Sequence, residues 1–349
     1  MRAVVYTGHG GPDVLRLVER ETPVPGPGEV LVRVHRSGVN PTDWKARRGS
    51  GPASGSTPEQ VPNQDGAGVV DAVGDGVDPA RVGERVWLWE AAWRRTDGTA
   101  QEFLTVPDRQ AATLPRTLDP DTGLNLGACL GIPAMTAHRC LTVREGGPSQ
   151  LAPGALAGRT VLVAGGAGAV GNAAIQLARW AGAQVVATVS GPEKSRLATA
   201  AGAHHTVTYR EDGAADRIRA VAPDGVDIVV DVALGTNVAI DSAVLAPGGV
   251  ICAYATDGGG EATFAIRDLM FRNIRLQFVL VYTVPDAAKL QAVRDITAAV
   301  SDGGLRCGED AGLPLHHFPL ERAADAHAAV EAGAVGKVLI DVVAPATGG

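Results

Sequence analysis

The stretch Thr160-Val-Leu-Val-Ala-Gly-Gly-Ala-Gly-Ala-Val-Gly171 decides the fold of the middle of this chain. Its first five residues are an apolar run of strand length, and residues 172–182, which follow it, are rich in alanine and typical of a helix. Between the two lie Gly166, Gly168 and Gly171 in the spacing G-x-G-x-x-G. This spacing between a strand and a helix predicts a turn that binds the pyrophosphate of a dinucleotide.

Each glycine of the turn has a separate role. Gly166 permits the tight turn, Gly168 lets a pyrophosphate approach the backbone, and Gly171 lets the helix pack against the strand. The N–H groups at the helix start, where Ala169 and Val170 lie, then face the phosphate charge. A glycine-rich turn that holds no ligand is the alternative that this pattern alone leaves open.

Outward from the turn, strands and helices continue to alternate. Apolar runs at residues 184–189 and 227–232 lead into helical stretches at residues 194–201 and 238–245. This alternation predicts an open parallel sheet with helices on both faces, which is the α/β, doubly wound Rossmann architecture.

The first third of the chain has a different pattern. Short β-like runs at residues 3–6, 29–34, 68–73 and 85–89 are separated by glycine and proline, and residues 49–57 are predicted to form a loop. A parallel sheet would need helices in those gaps, so the runs predict a compact, irregular β barrel.

The predicted domain organisation is discontinuous. Residues 127–283 are expected to form the dinucleotide-binding domain, and residues 1–126 together with 284–349 the substrate domain. The second assignment rests on a predicted helix at 286–300 and a strand at 337–342, which a Rossmann domain does not require. A cleft between two such domains is a common place for a ligand.

The end of the second Rossmann strand decides which nicotinamide nucleotide is favoured. An NAD-binding domain normally has an acid about 20 residues past the glycines, which holds the ribose 2′-hydroxyl. This strand ends without an acid before Glu193. Ser190, Lys194 and Tyr209, with Arg196 nearby, can instead donate hydrogen bonds to a 2′-phosphate. The sequence therefore favours NADPH over NADH.

Charge and composition argue against several other classes of protein. The net charge of −7 and the lack of any basic run disfavour a nucleic-acid partner. No apolar run reaches membrane-spanning length, so a soluble cytoplasmic protein is expected. The four cysteines are dispersed and lack the CxxC spacing of a metal or redox site.

Further segments carry a resemblance over nearly the whole length of the chain. They are VRVHRSGVNPTD at 32–43, QDGAGVV at 64–70, AVGDGV at 72–77, VGERV at 82–86, GTAQEF at 98–103, GIPAMTA at 131–137 and GKVLI at 336–340. With these segments in this order, the chain resembles the medium-chain dehydrogenase/reductase superfamily, and within it the quinone oxidoreductase, or zeta-crystallin-like, branch.

This resemblance implies a GroES-like β barrel domain next to the Rossmann domain, and a homodimer joined through the Rossmann domains. It also implies a set of residues that line the nicotinamide ring of the cofactor, with Lys337 closing over it. The lining residues are Asn40, Thr136, Ala233, Leu234, Phe278, Val279 and Leu280.

The same resemblance separates the chain from the zinc-dependent alcohol dehydrogenases. Those enzymes place a Cys where this chain has Asn40 and a His-Glu pair where it has Gln64-Asp65, and they carry four closely spaced cysteines that are missing here. Because zinc requires thiolate or imidazole ligands at such positions, no metal is expected in this chain.

Hydride transfer without a metal requires an acceptor that holds the resulting charge. Quinones and enones do so, and the protein then supplies positioning and hydrogen bonds to the acceptor oxygen. The candidate side chains are Asn40, as a donor to that oxygen, Asp43 in the same loop, and Lys45, where related enzymes often carry a Tyr. A turn residue before Pro41, a helix cap and a solvated lysine are the respective structural alternatives.

These observations predict a zinc-independent, NADPH-dependent oxidoreductase that transfers hydride to a quinone. An NADPH-dependent enone or enoyl-thioester (polyketide-type) reductase of the same branch is the first alternative, because it uses the same pocket. A non-catalytic, crystallin-like NADPH-binding protein is the alternative from another class.

Overall fold

The computed structural model describes residues 1–50 and 59–343, so most of the predicted loop at 49–57 lies outside the described residues. Its contacts divide the chain into two compact units. Unit 1 comprises Met1–Ile132 and Pro314–Gly349, and unit 2 comprises Pro133–Leu313.

The strands of the described residues are numbered in chain order. They are β1 (Arg2–Val5), β2 (Arg16–Glu19), β3 (Glu29–Val39), β4 (Asp65–Val73), β5 (Arg85–Leu88), β6 (Phe103–Pro107), β7 (Ala111–Thr113), β8 (Thr160–Ala164), β9 (Gln184–Val189), β10 (His205–Thr208), β11 (Val226–Asp231), β12 (Leu245–Ala253), β13 (Arg275–Phe278), β14 (Leu315–Pro319) and β15 (Lys337–Asp341).

The α-helices of the described residues are numbered in the same way. They are α1 (Pro41–Arg47), α2 (Pro120–Gly127), α3 (Gly131–Leu141), α4 (Ala169–Trp180), α5 (Pro192–Ala200), α6 (Ala214–Val221), α7 (Leu234–Val244), α8 (Ile266–Phe271), α9 (Asp286–Ser301) and α10 (Ala323–Glu331).

Unit 2 is built on a six-stranded parallel sheet with the order β10-β9-β8-β11-β12-β13. Three of the inner strands, β8, β9 and β11, are mostly buried and rich in valine, as expected for a sheet covered on both faces. The order of connection reverses between β8 and β11, which makes their carboxyl ends the switch point where ligands bind in such sheets. The predicted α/β Rossmann architecture is confirmed.

Unit 1 contains a seven-stranded mixed sheet. Six of its strands follow the order β14-β15-β3-β4-β5-β7, and the seventh, β6, pairs with β3. Only β14 and β15 are parallel to each other; the remaining pairs are antiparallel. The eleven-residue strand β3 is central, because it pairs with β4, β6 and β15. The predicted GroES-like β domain is thus present, and its apolar core is rich in valine.

The boundary between the units differs from the predicted one. The sequence predicts residues 284–313 in the substrate domain, but their contacts place them in unit 2. On α9, buried Asp295 accepts from the N–H of Leu151 at 2.7 Å and lies 2.7 Å from Nε2 of His138. Hydrogen bonds between such distant residues anchor α9 to unit 2, and helical periodicity alone does not reveal them.

The described part of the chain contains no helix whose length and hydropathy would allow it to cross a bilayer.

Candidate functional site

The glycine turn lies between β8 and α4, at the switch point of the parallel sheet. Gly165 has a φ of +71°, a conformation that favours glycine. The N–H of Gly168 donates to the carbonyl of Gly165 at 2.9 Å, and Gly168 caps α4 without any side-chain hydrogen bond. The first N–H groups of α4 have no carbonyl partner within the helix and are therefore available as donors.

The glycines of the turn differ in the space around them. A Cβ on Gly171 would lie 2.3 Å from the carbonyl oxygen of Gly165, and a Cβ on Gly166 would lie 2.8 Å from the Cβ of Ala187. A Cβ on Gly168 would meet only the oxygen of Gly165, at 3.4 Å. Gly166 and Gly171 are thus required by packing within the protein, whereas Gly168 borders open space. A phosphate there would lie on the N–H groups of Ala169 and Val170.

Four of the other predicted cofactor residues of unit 2 lie at or just after the carboxyl ends of the parallel strands. Ser190 follows β9, Ala233 caps α7 directly after β11, and Phe278 ends β13. The N–H of Tyr209, which follows β10, donates to the carbonyl of Val189 at 3.1 Å. Because the strands are parallel, these residues lie at the same edge of the sheet as the glycine turn.

The predicted 2′-phosphate residues fall into two groups. Ser190 and Tyr209 are neighbours at the ends of β9 and β10, and Lys194 lies in the first turn of α5. Arg196 instead pairs with Glu309, with 3.3 Å between the guanidinium nitrogen and the carboxylate oxygen. Ser190 and Tyr209 thus lie together at the ends of neighbouring strands, and Lys194 lies in the helix that follows Ser190, whereas Arg196 contacts Glu309.

The predicted nicotinamide residues of unit 2 differ in exposure. Thr136 on α3, Leu234 and Val279 are buried, whereas Phe278 is 68% exposed and Leu280 is 44% exposed.

Sequence reasoning missed Asp231, which organises the turn after β11. Its Oδ1 accepts from the N–H of Ala233 at 2.7 Å and from Nδ2 of Asn237 at 2.9 Å. The one available signal was an acid at the end of a strand, directly after the apolar residues 228–230.

A buried polar cluster in unit 1 joins Asn40, Asp65 and Lys337, which are at most 2% exposed. Nζ of Lys337 donates to Oδ1 of Asn40 at 2.7 Å and lies 3.3 Å from Oδ2 of Asp65. Nδ2 of Asn40 donates to the same Oδ2 at 2.7 Å. Oδ1 of Asp65 accepts from the N–H of Ile132 at 2.8 Å. We call Asn40, Asp65 and Lys337 the polar cluster.

Asp65 belongs to the Gln64-Asp65 pair that stands where the zinc enzymes have His-Glu, and the sequence does not predict it as a site residue. Burial, the largest cause, raises the pKa of Asp65, and the charge of Lys337 and the amide of Asn40 oppose that shift. The ion pair with Lys337 could not be found from sequence spacing, because its partner lies 272 residues away.

Asp43 lies in the first turn of α1 and caps that helix. Its Oδ2 accepts from the backbone N–H of Asn40 at 2.7 Å, and the residue is 4% exposed. Burial and the nearby charge of Asp65 raise the pKa of Asp43 to about 7, while the N–H of Asn40 and the charge of Lys337 oppose the shift. Asp43 therefore exchanges a proton near neutral pH.

Lys45 lies on α1, outside the polar cluster. Its Nζ is 5.6 Å from the ring centroid of the adjacent Trp44, which is a cation–π distance. The three predicted catalytic residues thus lie in or at the start of one short helix, but only Asn40 and Asp43 are buried together.

Among residues 1–50 and 59–343, no group of three or more His, Cys, Asp or Glu side chains is arranged to hold a metal ion.

Two family models match separate parts of the chain. The model described as alcohol dehydrogenase GroES-like domain matches residues 26–116, and the model described as zinc-binding dehydrogenase matches residues 169–298. The first lies within unit 1 and the second within unit 2.

Known proteins are similar to this chain over nearly its whole length. Quinone oxidoreductase of Rattus norvegicus is 31% identical over 347 residues, and that of Homo sapiens is 30% identical over 346 residues. Each match covers 97% of this chain and 97% of the relative.

Solved structures agree over a similar extent. An NAD-dependent alcohol dehydrogenase is 28% identical with a TM-score of 0.83, covering 98% of this chain and all of that structure. A mycobacterial protein complexed with NADPH is 29% identical with a TM-score of 0.78, covering 97% of this chain and 99% of that structure.

Proposed function

The chain belongs to the quinone oxidoreductase branch of the medium-chain dehydrogenase/reductase superfamily, and we propose that it is an NADPH-dependent, zinc-independent oxidoreductase that transfers hydride to a quinone. The observation that carries this proposal is its identity of 31% with a quinone oxidoreductase across 97% of both chains. The glycine turn and the polar cluster supply the two kinds of contact that such a reaction requires.

The proposed cofactor is NADPH, which supplies hydride when bound. The backbone of the turn at Gly168 and the start of α4 would hold its pyrophosphate. Ser190, Lys194 and Tyr209 would hold its 2′-phosphate, since no acid precedes Glu193 after β9 and Glu193 is exposed. The NADPH complex of a solved structure 29% identical to this chain supports the choice of NADPH.

Asn40 is proposed as the donor to the acceptor oxygen. As hydride reaches a quinone or enone, negative charge develops on that oxygen, and a fixed amide N–H stabilises it without rearrangement. Water protonates the product oxygen, so no strong acid is needed.

The side chains at the corresponding positions of unit 1 support a reaction without zinc. Asn40 stands where the zinc enzymes have a Cys, and Asp65 belongs to the pair that stands where they have His-Glu. Oxygen atoms of both residues contact the ammonium of Lys337. A zinc ion would have to displace that ammonium, and its ligands would then be a carboxylate and an amide instead of thiolates.

Steady-state rates of NADPH oxidation by the purified chain test the proposed substrate. A panel of quinones is compared with enones and enoyl thioesters at matched concentrations, and the quinones are expected to have the highest kcat/KM. A clear preference for enones or enoyl thioesters would replace the quinone assignment with the alternative reductase. Tight NADPH binding without turnover of any acceptor would favour the non-catalytic alternative.

We also propose a homodimer joined through the exposed edge of β13. Six of the ten large apolar side chains exposed in the described residues lie between Ile266 and Leu280, on α8, β13 and the residue pair that follows. An apolar surface beside an unpaired strand edge favours pairing with a second copy. Sedimentation velocity should show a dimer for the wild type and a monomer for F278E. The control is V24E, which adds the same charge at a residue that is 85% exposed and lies outside this surface, and it should remain a dimer. A monomeric wild type would reject the dimer.

A further inference from the structure

Two buried aspartates meet in unit 2 at the carboxyl end of β11. Asp231 is the last residue of that strand and Asp241 lies on α7, and both are at most 1% exposed. Oδ2 of Asp231 and both carboxyl oxygens of Asp241 have no N–H or hydroxyl donor within the described residues. The carboxyl of Asp241 is within hydrogen-bonding reach of that of Asp231. Each carboxyl therefore has the other as its remaining partner.

Two carboxyl groups in contact inside a protein cannot both carry a charge. Burying an unpaired carboxylate is costly, and a second negative charge beside it adds to the cost. Burial raises the pKa of Asp241 well above its usual value, and the charge of Asp231 and the hydrogen bond between the two carboxyl groups raise it further. Oδ1 of Asp231 accepts from Ala233 and Asn237. The proton is therefore expected on Asp241, whose O–H can donate to Asp231.

No cationic side chain pairs with either aspartate within the described residues. Helix α7 packs against α6, β11 and β12, and β12 contains no charged residue. The arginines on or near these elements have other acceptors, which are Thr208 O for Arg217, Ala243 O for Arg219, Ser242 O for Arg272 and the carboxylate of Asp227 for Arg159. A proton is thus the positive charge that the pair requires.

The other titratable groups around the pair supply no positive charge either. Tyr254 follows β12, and its N–H donates to the carbonyl of Asp231 at 3.0 Å. Burial raises the pKa of Tyr254 well above its usual value, so its phenol stays neutral. A hydrogen bond to Cys252 and burial raise the pKa of the Cys140 thiol, which is neutral as well. The exposed Asp257 adds a negative charge near Tyr254.

The pair also adjoins the glycine turn. Val232 directly follows Asp231, and a Cβ on Gly165 would lie 3.1 Å from Cγ1 of Val232. Asp231 holds the N–H of Ala233 at 2.7 Å and, through Asn237 at 2.9 Å, the first turn of α7. Asn237 and Asp241 are four residues apart and therefore lie on the same face of α7. A shift of α7 away from Asp231 would displace the residues that border the glycine turn.

We propose that Asp241 is a protonated carboxylic acid that donates to Oδ2 of Asp231, and that this shared proton positions residues 232–234 beside the glycine turn. Asp231 and Asp241 are then positioning residues for the dinucleotide and act through the turn. The effect on the dinucleotide rests on the proposed function and deepens it, whereas the shared proton itself is independent of that function.

Infrared spectroscopy in heavy water at pH 6, where an ordinary aspartate is ionised, tests the shared proton without cofactor. A protonated carboxyl absorbs at a higher frequency than a carboxylate, and the difference between the wild type and D241N should contain this band. D231N, which removes the accepting carboxylate, should shift or remove the same band, and it replaces D241N if that variant does not fold. A wild type without the band would overturn the proposal.

Urea denaturation at pH 5 and pH 7 tests the contribution of the proton to stability. The folded pKa of Asp241 lies above the unfolded value of about 4, so the stabilisation is fully present below pH 4 and is lost as the pH rises through the folded pKa. Between these two pH values, the unfolding equilibrium constant of the wild type should rise about 100-fold relative to D241N, whose amide donates at every pH.

The matched control for the stability measurement is D216N. Asp216 is an exposed acid on α6 that pairs with Arg219 at 2.9 Å, and D216N should follow the pH dependence of the wild type. Parallel pH dependence of the wild type and D241N would contradict the shared proton.

Fluorescence titration with NADPH tests the positioning role. D241L has a side chain of similar size without a donor, so it leaves Oδ2 of Asp231 buried and unpaired. The NADPH dissociation constant should rise about tenfold in D241L and stay within about twofold of the wild type in D241N, which keeps a donor. If D241L does not fold, D241A is measured in its place. Wild-type affinity in the variant without a donor would overturn the positioning role.

The two kinds of failure are distinguishable. A wild type that shows the infrared band and the pH dependence but does not bind NADPH would reject the proposed function, and with it the positioning role, and would leave the shared proton in place. A wild type that reduces quinones with NADPH but lacks the band would reject the shared proton alone.

Discussion

The glycine turn of unit 2 and the polar cluster of unit 1 are built in opposite ways. The turn uses six consecutive residues, Gly166–Gly171, and presents backbone N–H groups. The cluster uses three side chains, of which Asn40 and Lys337 are 297 residues apart. The comparison shows that a backbone site is encoded locally, whereas a side-chain site is encoded by the register of a sheet.

The largest expected effect is a loss of stability in G171A, which tests the packing of the turn and not its ligand. In G171A the new Cβ would meet the backbone carbonyl of Gly165 at 2.3 Å, and no flexible side chain can move to relieve this contact. We expect the free energy of unfolding to fall by about 3 kcal/mol. Urea denaturation followed by circular dichroism measures it, and a variant as stable as the wild type would contradict the tight packing of the turn.

G168A is the matched variant for ligand binding. Its Cβ meets only one atom at an ordinary distance of 3.4 Å, and the φ of −80° suits alanine. The fold should keep its stability, while the methyl group keeps a pyrophosphate away from the N–H groups. We expect the NADPH dissociation constant to rise roughly 30-fold, which corresponds to about 2 kcal/mol. Unchanged binding by fluorescence titration would place the pyrophosphate elsewhere.

The same contrast explains how much the sequence could predict. Strands β8, β9 and β11 and helix α4 are apparent from sequence because their apolar periodicity and the glycine spacing are local. The ion pair of Asp65 and Lys337 depends on the pairing of β3 with both β4 and β15, which no local pattern contains. Asn40 was accessible as a candidate only through family resemblance.

The third prediction concerns the choice between NADPH and NADH. K194A should raise the KM for NADPH about tenfold, roughly 1.4 kcal/mol, and leave the KM for NADH unchanged, because only NADPH carries the 2′-phosphate. R196A is the control, since Arg196 pairs with Glu309, and it should affect neither value. Equal effects of K194A on both cofactors would exclude a 2′-phosphate contact.

A smaller effect comes from Asp43 beside the polar cluster. Its pKa of about 7 in the folded protein exceeds the value of about 4 in the unfolded chain. The protonated carboxyl therefore contributes stability that is fully present below pH 4 and is lost as the pH rises through 7. From pH 5 to 7, the wild type should lose about 1 kcal/mol per pH unit relative to D43N.

Urea denaturation at several pH values compares the wild type with D43N, and D71N serves as the exposed-carboxylate control. Parallel stability curves for the wild type and D43N would show that Asp43 keeps an ordinary pKa in the folded protein. That result would contradict a buried position of Asp43 close to the charge of Asp65.

The smallest expected effect is that of metal removal. In unit 1, the ammonium of Lys337 supplies the positive charge between the oxygens of Asn40 and Asp65, at 2.7 and 3.3 Å. Dialysis against a chelator should therefore leave kcat for quinone reduction unchanged, and added zinc should not increase it. Metal content measured on the same samples provides the control. If activity fell with the metal removed and returned with zinc, a cation would have to displace Lys337, and the polar cluster could not orient Asn40 as the geometry indicates.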